Sequence, residues 1–213
     1  MLNWFKKKKK DTPKKYEFRW YGIEPENPFN KKILDIRSYT GTTLAFTTEK
    51  KIAEKYNELR YSNGEYLIKA TIENKKTSDF DLVYPHNGDT LRGNIFRADS
   101  MDCKWDIYCF ENTFFFSKSW GGELIYKAKF KITPTSIQIY QIDHSSDVDQ
   151  NTAANDIHYL IKTHALDQPI PHNIPEYLKT DLEIANWSFI KFGNRAYYAT
   201  YEDVTNTTVV SKK

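Results

Sequence analysis

The stretch Trp105 to Ile142, WDIYCFENTFFFSKSWGGELIYKAKFKITPTSIQIYQI, most constrains the fold of this chain. Between Glu123 and Ile132 the alternation is strict. Leu124, Tyr126, Ala128, Phe130 and Ile132 fall on one face, and Glu123, Lys127, Lys129 and Lys131 on the other. Successive side chains of a strand point to opposite faces, so this pattern predicts a half-buried strand. The turn Ser119-Trp120-Gly121-Gly122 interrupts the stretch, and its paired glycines permit a reversal. The whole segment therefore reads as an antiparallel meander.

The rest of the chain supplies the partners of that sheet. Tyr16 to Ile23 and Lys32 to Tyr39 read as strands, as does Glu65 to Glu73, with Tyr66, Ile68, Ala70 and Ile72 on one side. Thr48 to Tyr61 places Ile52, Tyr56 and Leu59 at helical spacing, with Ser62-Asn63-Gly64 as the stop. A second helix is expected from Thr152 to Ala165, with Ala153, Ile157, Leu160, Ile161 and His164 as its apolar stripe. Asn74 to Ser100 reads as a long polar excursion with one short strand near Phe80 to Tyr84. Pro169, Pro171 and Pro175 read as an extended crossing segment without regular structure. Leu178 to Trp187 reads as a short helix. The expected fold is α+β: a mostly antiparallel sheet of six or more strands, with the two main amphipathic helices packed on one face.

The 213 residues suit a single domain over 16–203, preceded by a disordered basic leader, 1–15, and followed by a frayed tail, 204–213. The leader holds Lys6 to Lys10, Lys14 and Lys15 against Asp11 alone, a net +6. Because the whole chain is +3, the remainder is −3. A mildly acidic body argues against nucleic acid as a partner. In the leader, Trp4 and Phe5 followed by Lys6, Lys7, Lys8, Lys9 and Lys10 could wedge aromatics into an anionic membrane surface. Solvated disorder is the commoner fate of such a run.

Cys103 and Cys109 are six apart in a strand-like segment, roughly 20 Å at about 3.3 Å per residue, so they cannot pair with each other. Without a signal peptide or a membrane-length apolar run, the expected location is the cytoplasm, peripheral to a membrane if the leader engages one.

No histidine pair has ligand spacing. His158 and His164 lie about 240° apart on an ideal helix, and His164 reads as a satisfied core residue. Asp143, Asp147 and Asp149 lack the glycine and terminal glutamate of a calcium loop. No glycine-rich phosphate cradle exists, so no metal or cofactor is expected. Trp120 folds into the core or stands at the rim. At the rim, Lys118, Trp120 and Glu123 would form a hot spot for a protein partner.

Two resemblances extend this reading. TGTTLAFTTEKKIAEKY, residues 40–56, resembles the strand-and-helix region of ADP-ribosyltransferases, which implies an NAD site built from Arg37, Thr47 and Glu123. Thr stands where that family has serines, and Glu24-x-Glu26 precedes the segment instead of following it. The meander with its Phe-Phe-Phe-Ser-Lys-Ser-Trp-Gly-Gly run resembles strands of uncharacterised bacterial cytosolic proteins, some of the immunity type that neutralise toxins. That likeness implies a non-enzymatic binding protein, the leading expectation. The NAD-dependent transferase and peripheral membrane association are the alternatives.

Overall fold

A computed structural model describes residues 16–209. The leader therefore lies outside the described residues, and so does its expected contact with a membrane. In chain order the elements are β1 (Arg19–Tyr21), β2 (Ile33–Asp35), α1 (Arg37–Thr40), α2 (Lys50–Tyr61), β3 (Lys75–Pro85), β4 (Gly93–Phe96), β5 (Trp105–Phe110) and β6 (Thr113–Lys118). They continue with β7 (Leu124–Ile132), β8 (Ser136–Ser145), α3 (Gln150–Leu160), β9 (Pro171–Asn173), α4 (Asp181–Phe192) and β10 (Tyr198–Thr200).

The α+β architecture centres on a six-stranded antiparallel sheet in the order β3-β8-β7-β6-β5-β4. A second sheet, β1-β2-β10-β9, has four short strands, with β9 and β10 parallel. Helix α3 touches β3 and β8 of the large sheet and β9 of the small one. Every residue of α3 from Ala153 to Leu160 is buried. A helix without a solvent face must lie between layers, and one continuous core joins Ile107, Phe116 and Phe130 of the large sheet through Ile157 and Leu160 to Leu34 and Ala199 of the small one.

The meander forms as its alternation predicts, with one change of face. Phe116 pairs with Tyr126, but Ser117 pairs with Leu124, so Ile125 is the extra residue of a bulge. A bulge reverses the alternation locally. Tyr126, Ala128 and Phe130 face α3, whereas Leu124 faces the other way, joining Tyr108, Phe110 and Phe115 in a small second core closed by Leu67 and Ile72.

The two main helices do not share a face as expected. Helix α3 covers the side bearing Trp105, Ile107 and Phe116. Helix α2 is clipped to the opposite side, where Asp106 points. Arg60 reaches Asp106 with two bonds, 2.9 Å and 2.6 Å, and also donates to the carbonyls of Ala98 and Ser119. The Ala98 amide completes the shell of Asp106 at 2.8 Å. A planar guanidinium matches a carboxylate in this bidentate way.

Four further expectations change. Glu65–Ile68 is a 3₁₀ turn, not a strand, because Gly64 takes φ +82° and reverses the chain against Tyr108. A Cβ at Gly64 would lie 2.2 Å from the Tyr108 ring. The polar run 75–85 is a full edge strand, β3, burying only Ser78, Leu82 and Tyr84, while Lys75, Lys76, Asp79 and Asp81 charge its open side. The proline segment supplies β9, with Pro171 at its first position, where a missing N–H is tolerated. Residues 181–192 form one helix, nucleated by a capping box of Thr180 and Glu183.

The tail is not frayed as far as Val209. Val204 is buried, its amide donates to Asn155 Oδ1 at 2.7 Å, and Val209 bridges Phe29. The two cysteines are free and buried, as their spacing predicts. Among the described residues no helix is long and apolar enough to cross a membrane.

The side chain of Asp106 has no solvent exposure, so Asp106→Ala leaves the Arg60 guanidinium part-buried without its counter-ion. A loss of about 3–5 kcal/mol is expected, read as a fall in the urea unfolding midpoint. A loss below about 1 kcal/mol would show that the clip is ornamental.

Candidate functional site

The ends of β5 and β6 bring Trp105 and Lys118 into register as a cross-strand pair, both facing α3 and α4. The ammonium nitrogen of Lys118 lies 3.7 Å from the centre of the Trp105 ring. It donates to the Lys191 carbonyl at 3.2 Å, and the Trp105 indole N–H donates to the same oxygen at 2.7 Å. That carbonyl belongs to the last turn of α4, where backbone oxygens lack helical partners and carry the negative end of the dipole. Gly193 then turns the chain with φ +75°, packed so tightly on Asp102 that no Cβ would fit.

The side chain of Lys191 points to Asp156, with 2.6 Å between Nζ and Oδ1. The Tyr126 hydroxyl donates to the other oxygen of Asp156 at 2.7 Å. Asp156 is thus satisfied by one cation and one phenol. Lys118 has no carboxylate within salt-bridge distance among the described residues. Burial pushes its amine down to about 7. The charges of Asp156 and Glu123 resist that shift, and those of Lys191 and Lys104 add to it. The Tyr126 phenol is driven far up, first by burial and then by the adjoining Asp156.

Behind this cluster stand three buried histidines. His158 shares a 3.0 Å bond with the Tyr84 hydroxyl through Nδ1, and His172 Nδ1 lies 3.2 Å from the Asn173 carbonyl. Their Nε2 atoms and both nitrogens of His164 have no partner. His164 is therefore a core residue as expected, but not a satisfied one. Its surroundings are rings: Phe96 at 4.9 Å and Tyr159 at 6.2 Å, both edge-on. Ile161–Ala165 departs from α3 geometry as a π turn, which swings His164 away from the position an ideal helix would assign. Burial lowers His158 to about 4 and His164 and His172 to about 3. Lys118 and Arg195 add to the shift of His164, and Lys191 to that of His172.

Of the residues singled out in the sequence, only Lys118 belongs to this cluster, and it faces inward. Trp120 sits half-buried at the rim, its indole donating to the Met101 carbonyl at 2.8 Å, with Lys104 Nζ 4.3 Å from its ring centre. Glu123 is exposed on the same turn. Arg37 lies elsewhere, at the start of α1 just after strand β2 of the small sheet. It is paired with Asp35 at 2.6 Å and stacked over Tyr198. The open depression around it is lined by Glu17, Arg19, Tyr21, Asp35 and Ser38, without Thr47 or Glu123. The three residues implied by the transferase resemblance are not gathered around one cavity.

Asp156 and Lys191 went unnoticed in the sequence, Tyr126 was read only as a packed strand residue, and His172 as a loop histidine and not a buried one. One signal was present: Asp156 interrupts the apolar stripe of α3, and a carboxylate at a core position requires a buried cation or donor. Among the described residues no group of three or more His, Cys, Asp or Glu could hold a metal ion.

Three neutral buried histidines make stability pH-dependent with a definite sign. Their folded values lie below the ordinary 6.5, so the unfolded chain takes up protons first as pH falls. The contribution of the histidines is complete above about pH 6.5 and is lost on the way to pH 4, with a slope of up to about 4 kcal/mol per pH unit. Urea midpoints between pH 7.5 and 4.5 should trace this fall. A flat profile down to pH 5 would mean that the rings are protonated in the native state.

Scans against protein-family models, curated proteins and solved structures return no match to this chain.

Proposed function

We propose that this chain is a non-catalytic binding protein that docks another protein on the rim beside Trp120. The observation that carries this reading is a set of exposed apolar side chains on the segments that flank Asp102 and Trp120. Leu44 is 77% exposed, Phe46 78% and Ile190 65%. The contacts beneath them are continuous. The Ala45 amide donates to Asp102, the Met101 carbonyl accepts from both Trp120 and Lys104, and Lys104 rests on the ring of Phe189, the residue before Ile190. Several large apolar residues exposed near an aromatic anchor are a usual signature of a docking surface.

The matching partner has an apolar ridge flanked by an acidic group that meets Lys104. In its narrower form the partner is a bacterial toxin, as the likeness of the meander to immunity-type proteins implies. Action in the cytoplasm suits two unpaired cysteines. The transferase alternative finds no favouring observation, since Arg37 is held by Asp35.

A photo-crosslinking amino acid placed at Phe46 or at Ile190 should trap the same single partner from cells. The same probe at Val83, equally apolar and exposed but on edge strand β3, should not trap it. Phe46→Asp combined with Ile190→Asp should lower capture by a probe at Leu44 at least tenfold without moving the unfolding midpoint. Equal capture from Val83, or none from either rim position, would sink the proposal.

A further inference from the structure

The connection from β3 to β4, residues 86–92, joins the two opposite edges of the large sheet. Six flat strands at a spacing of about 4.8 Å would set those edges about 24 Å apart. Eight fully extended steps of about 3.3 Å would barely span that gap. The connection is not extended, since Gly88 takes φ +85° and its amide donates back to His86 Nδ1 at 3.0 Å. The sheet is therefore curled, and its edges approach each other. A cavity of about 150 Å³ lies in the hollow, touching Tyr84 of one edge strand and Ile95 of the other, with Ile137, Phe114 and Ile107 from the strands between. The π turn after α3 closes it on the side away from the sheet. There the Leu166 amide reaches back five residues to the Ile161 carbonyl at 3.0 Å, and Ile161, Ala165 and Leu166 line the space. Close-packed interiors hold few voids of this size, and π turns inside helices recur at functional sites.

We propose that this cavity binds a small uncharged apolar molecule about the size of one aromatic ring. Engineered apolar cavities of about 150 Å³ in other proteins stay dry and admit benzene. The lining sets the chemical class. Its polar side chains, Tyr84 and His86, are already engaged, the first with His158 Nδ1 at 3.0 Å and the second with the Gly88 amide. No carboxylate, lysine or arginine lines the space, so a charged ligand would lose its water without gaining a counter-ion. Lys162, 6.0 Å from the centre of the Tyr84 ring, stands outside the lining and donates to Gln168 at 3.2 Å. The exposure of Pro85 and Leu166 places the entrance between the end of β3 and the π turn. The connection itself is pinned at both ends. The His86 amide donates to the Thr135 carbonyl at 3.0 Å, and the Leu91 carbonyl accepts from the Cys109 thiol at 3.4 Å. No lining residue belongs to the rim beside Trp120, so either assignment can fail without the other.

The test titrates the native full chain with toluene and, separately, with benzoate, the same ring carrying a charge. Methyl NMR spectra of the isoleucines report where each one goes. Toluene at about 1 mM should shift the methyls of Ile107, Ile137 and Ile161. It should leave Ile33 of the small sheet and Ile72 of the second core in place. The unfolding midpoint should rise with toluene concentration, because a ligand that binds only the folded state stabilises it. Benzoate should do neither. Ala165→Leu, which fills the cavity from the π turn, should abolish the toluene shifts while leaving the unfolding midpoint of the free protein unchanged or higher. No shift at the lining methyls, equal shifts at Ile33 and Ile72, or an equal response to benzoate overturns the proposal. Undiminished shifts in folded Ala165→Leu overturn it as well. Because the spectra of the native chain decide the matter, the outcome does not depend on whether the Ala165→Leu variant folds.

Discussion

Helix α3 has no solvent face between Ala153 and Leu160, and that burial sets the terms for the rest of the molecule. A helix enclosed between two sheets must find an internal partner for every polar side chain it carries, because water cannot serve. Asp156 finds Lys191 and Tyr126, Asn155 finds the Val204 amide, and His158 finds Tyr84. Each contact ties α3 to a different element: α4, the large sheet at two places, and the chain after β10. The polar residues of one helix thus fix the relative positions of layers that apolar packing alone would leave free to slide.

The same enclosure explains why the ionisable groups are unevenly matched. One buried carboxylate, Asp156, stands among Lys191, Lys118 and three histidines. The carboxylate goes to Lys191, burial keeps the histidines neutral, and Lys118 is left on an indole face with a helix carbonyl for company. By contrast, on the far side of the large sheet Arg60 and Asp106 are matched one to one, with backbone groups completing both shells. That pair reads as fastening. Among the described residues Lys118 has no such partner and is held by the Trp105 ring and the Lys191 carbonyl alone.

The meander was legible because its strands alternate and one face of each is packed, so residue type reports burial directly. Edge strand β3 was hidden by the same logic. It buries three side chains in eleven, and charges that protect a sheet edge look like loop residues. Glu65 to Glu73 alternates convincingly but never enters the sheet, since Gly64 diverts the chain beneath Tyr108. At Leu124 a single bulge residue was enough to send a side chain of the best-predicted strand to the opposite face. The site was less visible still. Lys118 was noticed as part of a distinctive turn, yet nothing local reveals that it points inward, or that residues 38 and 73 positions further along the chain meet it there.

What the chain determined by itself is the class of fold, the antiparallel meander, the helical character of 50–61 and 150–160, and the inability of its two cysteines to pair. These follow from periodicity and chain geometry, which act over a few residues. Only tertiary structure decided which face each helix covers, that a second sheet forms from short strands far apart in sequence, and which lysine receives the carboxylate of Asp156. Such choices depend on desolvation and on competition among distant groups, and no local pattern encodes which competitor will be nearest.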